Sequence, residues 1–459
     1  MPYIEKRGNS IRVKWWGGEY VLDEDGKPTK KKKYESASGP EPGVPFRDDD
    51  EAYSYGLDRE YEVRHGKHIP RASGRTPMDE YAWTWFEAAD LRPNSVGTYR
   101  SMINAVIAVD WAGRPVGDIT PPEFERWKKS LASRYSDNYA SQLCGLFRLM
   151  MIDAALKYKL RTDSPVIEQK RRGKYTKKKI RRSKKHLPIE VVHRLARNAC
   201  TAWGYAGWVY IWTIAFTGMR TPGEMFGLQR GYASPHWPTS DPDEEQREEA
   251  VLRYGSDLHA LRVQYQVYKV NGQATLAGPK YESHRTLVIP RFLHDMHSTL
   301  LATHHEPFVF LSKTGRMLLG TDFDREYWHV IRDGAPERTG RRGKERPEIP
   351  AVPEMAGQDI YRLRHWHRAL LDEPGADIPK VAKEARMGHE LPGMEGAYSE
   401  VTVAMEERIS EYLQTVWEKR VVAAGLWTPP LPTFPIPLPS DGAVGASSLF
   451  SGLPVLEDG

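Results

Sequence analysis

The chain has 459 residues, too many for one hydrophobic core of ordinary size, so two to four domains are expected. Its 28% charged and 40% hydrophobic residues are those of a soluble globular protein, and no apolar run approaches the roughly 20 residues of a membrane span. The start MPYIEKRGNS lacks a signal-peptide core, and Cys144 and Cys200 alone exclude a disulfide framework or cysteine-based zinc site, so a reducing, cytoplasmic setting is expected.

The first predicted element is a small antiparallel sheet over 3–33. In "SIRVKWW", Ile11, Val13 and Trp15 alternate with Arg12 and Lys14, giving one apolar and one cationic face. "DEDGK" is a polar turn, and "KPTKKKK" (27–33) continues as a basic strand that includes Lys30 and Lys31. A helix with acidic residues in its first turn follows in "DDDEAYSYGLDREYEV", closing a domain over 1–65.

From 75 to 166 the pattern is helical. Tyr99, Met102, Ile103, Val106 and Ile107 form one stripe, and Leu143, Leu146, Phe147 and Met150 another. Thr120 is placed to cap a helix whose first turn holds two prolines. These stripes are core, so nucleic-acid contacts would come from polar faces bearing Arg100, Lys128 and Arg134.

Between 167 and 185 lies a basic linker. Its "KRRGKYTKKKIRRSKK" carries eleven Lys or Arg in sixteen positions, among them Lys170, Arg171, Arg172, Lys177, Lys178, Arg181 and Arg182. Such a run reads either as a solvated linker or as a polyanion contact, where each neutralised phosphate releases counterions. Two basic runs in one chain, with Lys and Arg interleaved with aromatics elsewhere, favour a nucleic acid.

The third domain spans 186–425 and opens with the helix "LPIEVVHRLARNA". "LRVQYQVYKVNGQ" and "HRTLVIP" alternate with period two and read as strands of a small sheet. The acidic stretch 231–260 reads as a surface insertion, and 401–422 as a helix with an apolar stripe. A Pro-rich tail over 426–459 is expected to be extended or disordered. The fold class is therefore mainly α with small β-sheets, in several domains.

Five short stretches of the third domain carry chemistry. They are "TGMRTPGEMFGL" with Arg220 and Glu224, "GPKYESHRTLVIP" with Lys280 before a strand at an expected hairpin tip, and "YRLRHWHRALL" with Arg364. "MGH" with His389 follows, and Tyr398 stands nine residues beyond it. This ordered set resembles the tyrosine recombinase (phage integrase) family. Its catalytic domain carries an Arg after a Thr-Gly-hydrophobic turn, a hairpin Lys, a His-x-x-Arg helix start, a Gly-His and a nucleophilic Tyr. The resemblance extends more loosely to 75–166, similar to the family's helical core-binding (SAM-like) domain, and to the N-terminal sheet, similar to its arm-binding domain.

The resemblance implies a recombinase that cleaves and rejoins DNA through a 3′-phosphotyrosyl link, with no ATP, cofactor or metal. Tyr398 would be the nucleophile. Arg220 and Arg364 would hold the non-bridging phosphate oxygens with guanidinium forks that stay charged. His389 would donate to the same phosphate, and Lys280 would protonate the departing 5′ oxygen. Glu224 would hold Arg220. The family's usual His or Lys three residues before the second Arg is Tyr361 here, leaving the general base open between Tyr361, His365 and water. Double-stranded DNA at attachment or crossover sites, homo-tetramers on it and accessory bending or directionality proteins are the implied partners. Two further readings stay open: a type IB topoisomerase-like enzyme and a non-catalytic DNA-binding protein. The pairs His294/His297 and His304/His305 show no ligand spacing with carboxylates or cysteines, so no metal site is expected.

Overall fold

The computed structural model describes the chain except residues 9, 24–26, 41–42, 66–72, 92, 167–186, 256–257, 271, 340–345, 390–399, 428–448 and 457–459. The fold is mainly helical with small sheets, and it divides into two compact units, Met1–Thr176 and Lys177–Gly459.

The first unit holds two separate hydrophobic cores. Strands β1 (Tyr3–Arg7), β2 (Ser10–Leu22) and β3 (Pro28–Ala37) form an antiparallel sheet in the order β1-β2-β3. Val13 and Trp15 are buried with Ala52 of α1 (Asp49–Arg64), because alternation sends them to the face that α1 covers. The opposite face is aromatic and cationic: Lys14 pairs across from Tyr3, Trp16 from Tyr34, and the Lys32 ammonium sits 5.0 Å above the Trp16 ring. Lys14 is held by Glu5 at 3.0 Å, whereas Lys30 and Lys31 are exposed.

The second core is helical, built from α2 (Met78–Ala88), α3 (Pro93–Met102), α4 (Pro121–Arg134) and α5 (Asp137–Leu156). Phe147 at its centre stacks on Trp111 and Phe124 at 5.1 and 5.6 Å. At the start of α4 the Glu123 carboxylate accepts from the Thr120 backbone N–H and hydroxyl, both at 2.8 Å, which satisfies groups the helix leaves unpaired. Arg100 is exposed, its guanidinium 5.6 Å above the Phe86 ring.

In the second unit, α6 (Ile189–Trp203) packs on α7 (Tyr205–Thr217), every residue of which is buried. A helix apolar all round belongs at the centre of a core, and α7 serves as its post. The strands form two sheets, not the single small one expected. Here β4 (Ala260–Val263) pairs with β7 (Arg285–Val288), while the hairpin of β5 (Gln266–Val270) and β6 (Gln273–Ala277) lies between them in sequence and pairs within itself. Helices α8 (Glu244–Tyr254), α9 (Arg291–Leu301), α10 (Arg362–Leu371), α11 (Lys380–Met387) and α12 (Val403–Trp417) complete the unit.

One expectation of the sequence is corrected by the packing of this unit. Segment 231–260 is not merely a surface insertion: Tyr232, Ala233, Trp237, Ala250 and Tyr254 are buried in the main core, Asp241 is buried with them, and Glu244, Glu245, Glu248 and Glu249 are exposed on α8. Average acidity concealed apolar residues spaced to face inward. The stripe of α12 is spent within the chain, with Ile409, Leu413, Val416 and Trp417 buried and Trp417 stacked on Phe292 at 4.0 Å. Removing residues from 401 onward would therefore strip the core.

Within the 426–459 tail, residues 428–448 lie outside the described residues, but 449–456 are docked. The Gly231 N–H donates to the Leu449 carbonyl at 2.9 Å, Phe450 packs 4.9 Å from the Tyr232 ring, and β8 (Val455–Leu456) adds in parallel to β6. Phe450→Ala is expected to lower stability by roughly 1.5 kcal/mol, the low end for a large apolar side chain, read as an earlier urea midpoint.

Candidate active site

The site is built at the C-terminal end of α7. Gly218 closes that helix in the left-handed region at φ 67, and a Cβ there would lie 2.7 Å from the His367 ring and 3.1 Å from the Met387 sulfur. Glycine both terminates the helix and admits α10 and the Met387 segment against its end. Gly388 repeats the device at φ 63, with Ser283 Oγ and an Arg285 nitrogen 3.0 and 3.1 Å from where a Cβ would stand.

Arg220 follows Gly218 and is 13% exposed. Its Nη1 donates to Glu224 Oε1 and Ser283 Oγ, both at 2.7 Å, and its Nη2 to the Gly388 carbonyl at 2.8 Å. Glu224 is fully buried and also accepts the Arg220 backbone N–H at 2.7 Å. From the far side Arg285 binds it with two nitrogens, at 3.0 and 2.7 Å. Burial pushes the Glu224 carboxyl up, but Arg285 and Arg220 outweigh it and hold its pKa at about 2.

Arg364, third residue of α10, is 1% exposed. It donates to the carbonyls of Gly218 and Met387 and, at 3.3 Å, to His389 Nε2. Among the described residues no carboxylate lies within ion-pair distance of it. Burial, only partly countered by Tyr361 and Glu224, brings its pKa to about 10. Arg364 can only donate, so His389 Nε2 accepts, and Nδ1–H donates to Glu384 Oε2 at 2.9 Å. Glu384 in turn receives Arg368 at 2.7 Å. Arg220 and Arg364, from different elements, thus converge on the segment Met387–His389.

Lys280 does not sit at a hairpin tip. It begins a tight turn linking β6 to β7, strands of different sheets, with Tyr281 at φ 63. The Lys280 ammonium is exposed and 4.8 Å from the Tyr281 ring centroid. Its carbonyl accepts from Ser283 Oγ at 2.9 Å, and that same oxygen accepts from Arg220, so the turn is tied to the site through one hydroxyl. Tyr361 stands just before α10, its ring 5.9 Å from the Arg364 guanidinium and 5.3 Å from His365. Tyr398 lies outside the described residues, as do Lys170, Arg171, Arg172, Lys177, Lys178, Arg181 and Arg182.

Three site residues escaped the sequence reading: Arg285, Ser283 and Glu384. Arg285 had a signal. It lies two residues before the buried Leu287 in a strand, so alternation aims a cation inward, where it needs an anion. Ser283 and Glu384 carry no such mark. The core histidines are structural: His297 bonds Thr213 at 2.9 Å, and His367 bonds the Ala215 carbonyl at 3.0 Å. Among the described residues no cluster of metal-ligating side chains occurs, and no helix is long and apolar enough to cross a membrane.

No protein-family model and no curated protein matches the chain. Among solved structures it is similar to the Tn1549 transposon integrase in complex with a circular intermediate DNA, at 12% identity and TM-score 0.45, over 73% of this chain and 99% of that one. It is also similar to a lambda integrase tetramer bound to a Holliday junction, at 12% identity and TM-score 0.44, over 87% and 98%. A lambda integrase dimer bound to a COC' core site gives 13% identity and TM-score 0.45, over 86% and 94%.

Proposed function

We propose that the chain is a site-specific DNA recombinase that cleaves and rejoins DNA through a 3′-phosphotyrosyl intermediate on Tyr398. The observation that carries this reading is the convergence of Arg220 and Arg364 on Met387–His389. Arg220 and Arg285 share the carboxylate Glu224, while Arg364 has no carboxylate within ion-pair distance among the described residues. The surplus positive charge is buried, where it favours an anion far more than it would in water.

In the reaction the Tyr398 oxygen attacks the scissile phosphorus and the bond to the 5′ oxygen breaks. A free phenol, with a pKa of about 10, must lose its proton as it attacks. That proton would go to Tyr361, whose ring stands beside Arg364 and His365, to His365 itself or to water. Arg220 and Arg364 stabilise the charge that accumulates on the non-bridging oxygens. His389, turned by Glu384, contacts the same phosphate as a donor only with a proton on Nε2, in place of the hydrogen bond it accepts from Arg364 in the DNA-free chain. Lys280 supplies the proton to the leaving 5′ oxygen. Bond energy is kept in the phosphotyrosine, so rejoining runs the same steps in reverse. Exchange between two duplexes needs four cleavages, which calls for a homo-tetramer on DNA. Lys14, Lys30, Lys31 and Arg100, with the basic run 170–182, supply phosphate contacts outside the site.

The test is a denaturant-resistant adduct. The protein selects duplexes from a randomised library, and the selected sequence is rebuilt with a nick beside the cleavage position. A covalent adduct mapping to the peptide containing Tyr398 is expected. An adduct on another residue, or none, removes the reading. Relaxation of any supercoiled plasmid without sequence preference would turn it towards a topoisomerase.

A further inference from the structure

The segment carrying Tyr398 is followed by α12, and the entry to that helix is not held by a cap of its own. Thr402, the residue before α12, has extended backbone and makes no side-chain capping bond. The hold comes instead from α8. Arg253 Nη2 donates to the Val401 carbonyl at 2.7 Å and to Glu406 Oε2 at 3.3 Å, and the Tyr254 hydroxyl lies 3.4 Å from Glu406 Oε1. One guanidinium thus grips the chain on both sides of the helix start. Its target is largely buried: the Glu406 side chain is 14% exposed. Burial pushes its carboxyl up, and Arg253 pulls it part of the way back.

Helix α8 can act as an anchor because it belongs to the core. Tyr254 and Trp237 are buried, with ring centroids 5.6 Å apart. On the other flank of residues 390–399, Arg220 and Arg364 hold the carbonyls of Gly388 and Met387. Val401 lies three residues beyond Tyr398 in sequence.

We propose that Arg253 is a positioning residue for DNA cleavage: through the Val401 carbonyl and the Glu406 carboxylate, it holds the chain that leads from Tyr398 into α12. Stretch 231–260 then has a task, supplying from α8 the second of two anchors for the nucleophile's segment. The inference rests on Tyr398 being the nucleophile. Nucleophilic attack is sensitive to placement, and a displacement of about 1 Å costs on the order of a hundredfold in rate.

The test uses the full-length chain and a nicked duplex of the sequence selected by the wild type. Wild-type adduct formation is measured first, and its absence would remove the recombinase reading before any variant is compared. Arg253→Ala is then expected to bind the duplex within about twofold of wild type and to form adduct about 10- to 100-fold more slowly in single turnover. Arg253→Lys, which keeps the charge and one donating nitrogen but not the planar fork, should recover part of that rate. A folded Arg253→Ala protein that cleaves at the wild-type rate overturns the proposal, as does a parallel loss of binding and cleavage. If Arg253→Ala does not fold, Arg253→Lys decides. Slower cleavage at unchanged affinity supports the positioning role, and wild-type cleavage overturns it.

Discussion

Arg364→Met is expected to slow adduct formation by about a thousandfold while leaving the DNA-free protein close to wild type in stability. The rate follows from the loss of a two-pronged donor, since one such donor alone is worth about 10²–10³. The stability follows from the site's imbalance. Arg364 is buried against the carbonyls of Gly218 and Met387 with no carboxylate partner among the described residues, and burial already brings its pKa to about 10. Removing it relieves a desolvation cost of several kcal/mol and orphans two carbonyls at about 1–3 kcal/mol each. The two nearly cancel. Single-turnover cleavage and urea unfolding of the same preparation would check both halves. Arg364→Lys should rescue little of the rate, because an ammonium cannot reproduce the planar fork. A large loss of stability with cleavage intact would contradict the account.

Glu224→Gln should behave in the opposite sense and lose stability and cleavage together. Its carboxylate is fully buried between Arg220 and Arg285, and breaking such a pair from one side costs about 3–5 kcal/mol, because the charges left behind stay unpaired. The wild type carries a pH signature of the same contact. The pKa of Glu224 is about 2 in the folded chain and 4.5 without that environment. Below 4.5 the unfolded chain takes up a proton that the folded one refuses. This part of the stability is therefore complete above about pH 4.5 and drains away as pH falls towards 2. Urea titrations between pH 5 and pH 2.5 should show a shallower decline in Glu224→Gln than in wild type. Equal slopes would mean that the two arginines do not hold Glu224 ionised.

How much of this was legible beforehand varies from residue to residue. Val13, Trp15, Leu143 and Phe147 were placed in cores by periodicity, because burial of one face imposes its period on the sequence. Gly218 and Gly388 were visible as punctuation beside Arg220 and His389, since only glycine takes φ above 60 against such close neighbours. Arg285 could have been found from strand alternation. Ser283 and Glu384 could not, because each earns its place through a partner distant in the sequence or on another turn of chain. The docking of Phe450 was equally hidden: a Pro-rich composition describes the approach to residues 449–456 but not the apolar site that receives them.

By itself the sequence determined the element types, the mainly helical fold with its small sheets and the order of the chemical groups along the chain. These are local or periodic properties, written within a few turns of each residue. Only the tertiary structure decided which groups meet. It joined Arg220 to Arg285 through Glu224, set Arg364 against His389, and made the acidic stretch 231–260 a clamp on Val401 and Glu406. The physical reason is that a buried charge must find its counter-charge wherever packing brings one, and that distance in space has no period in the sequence.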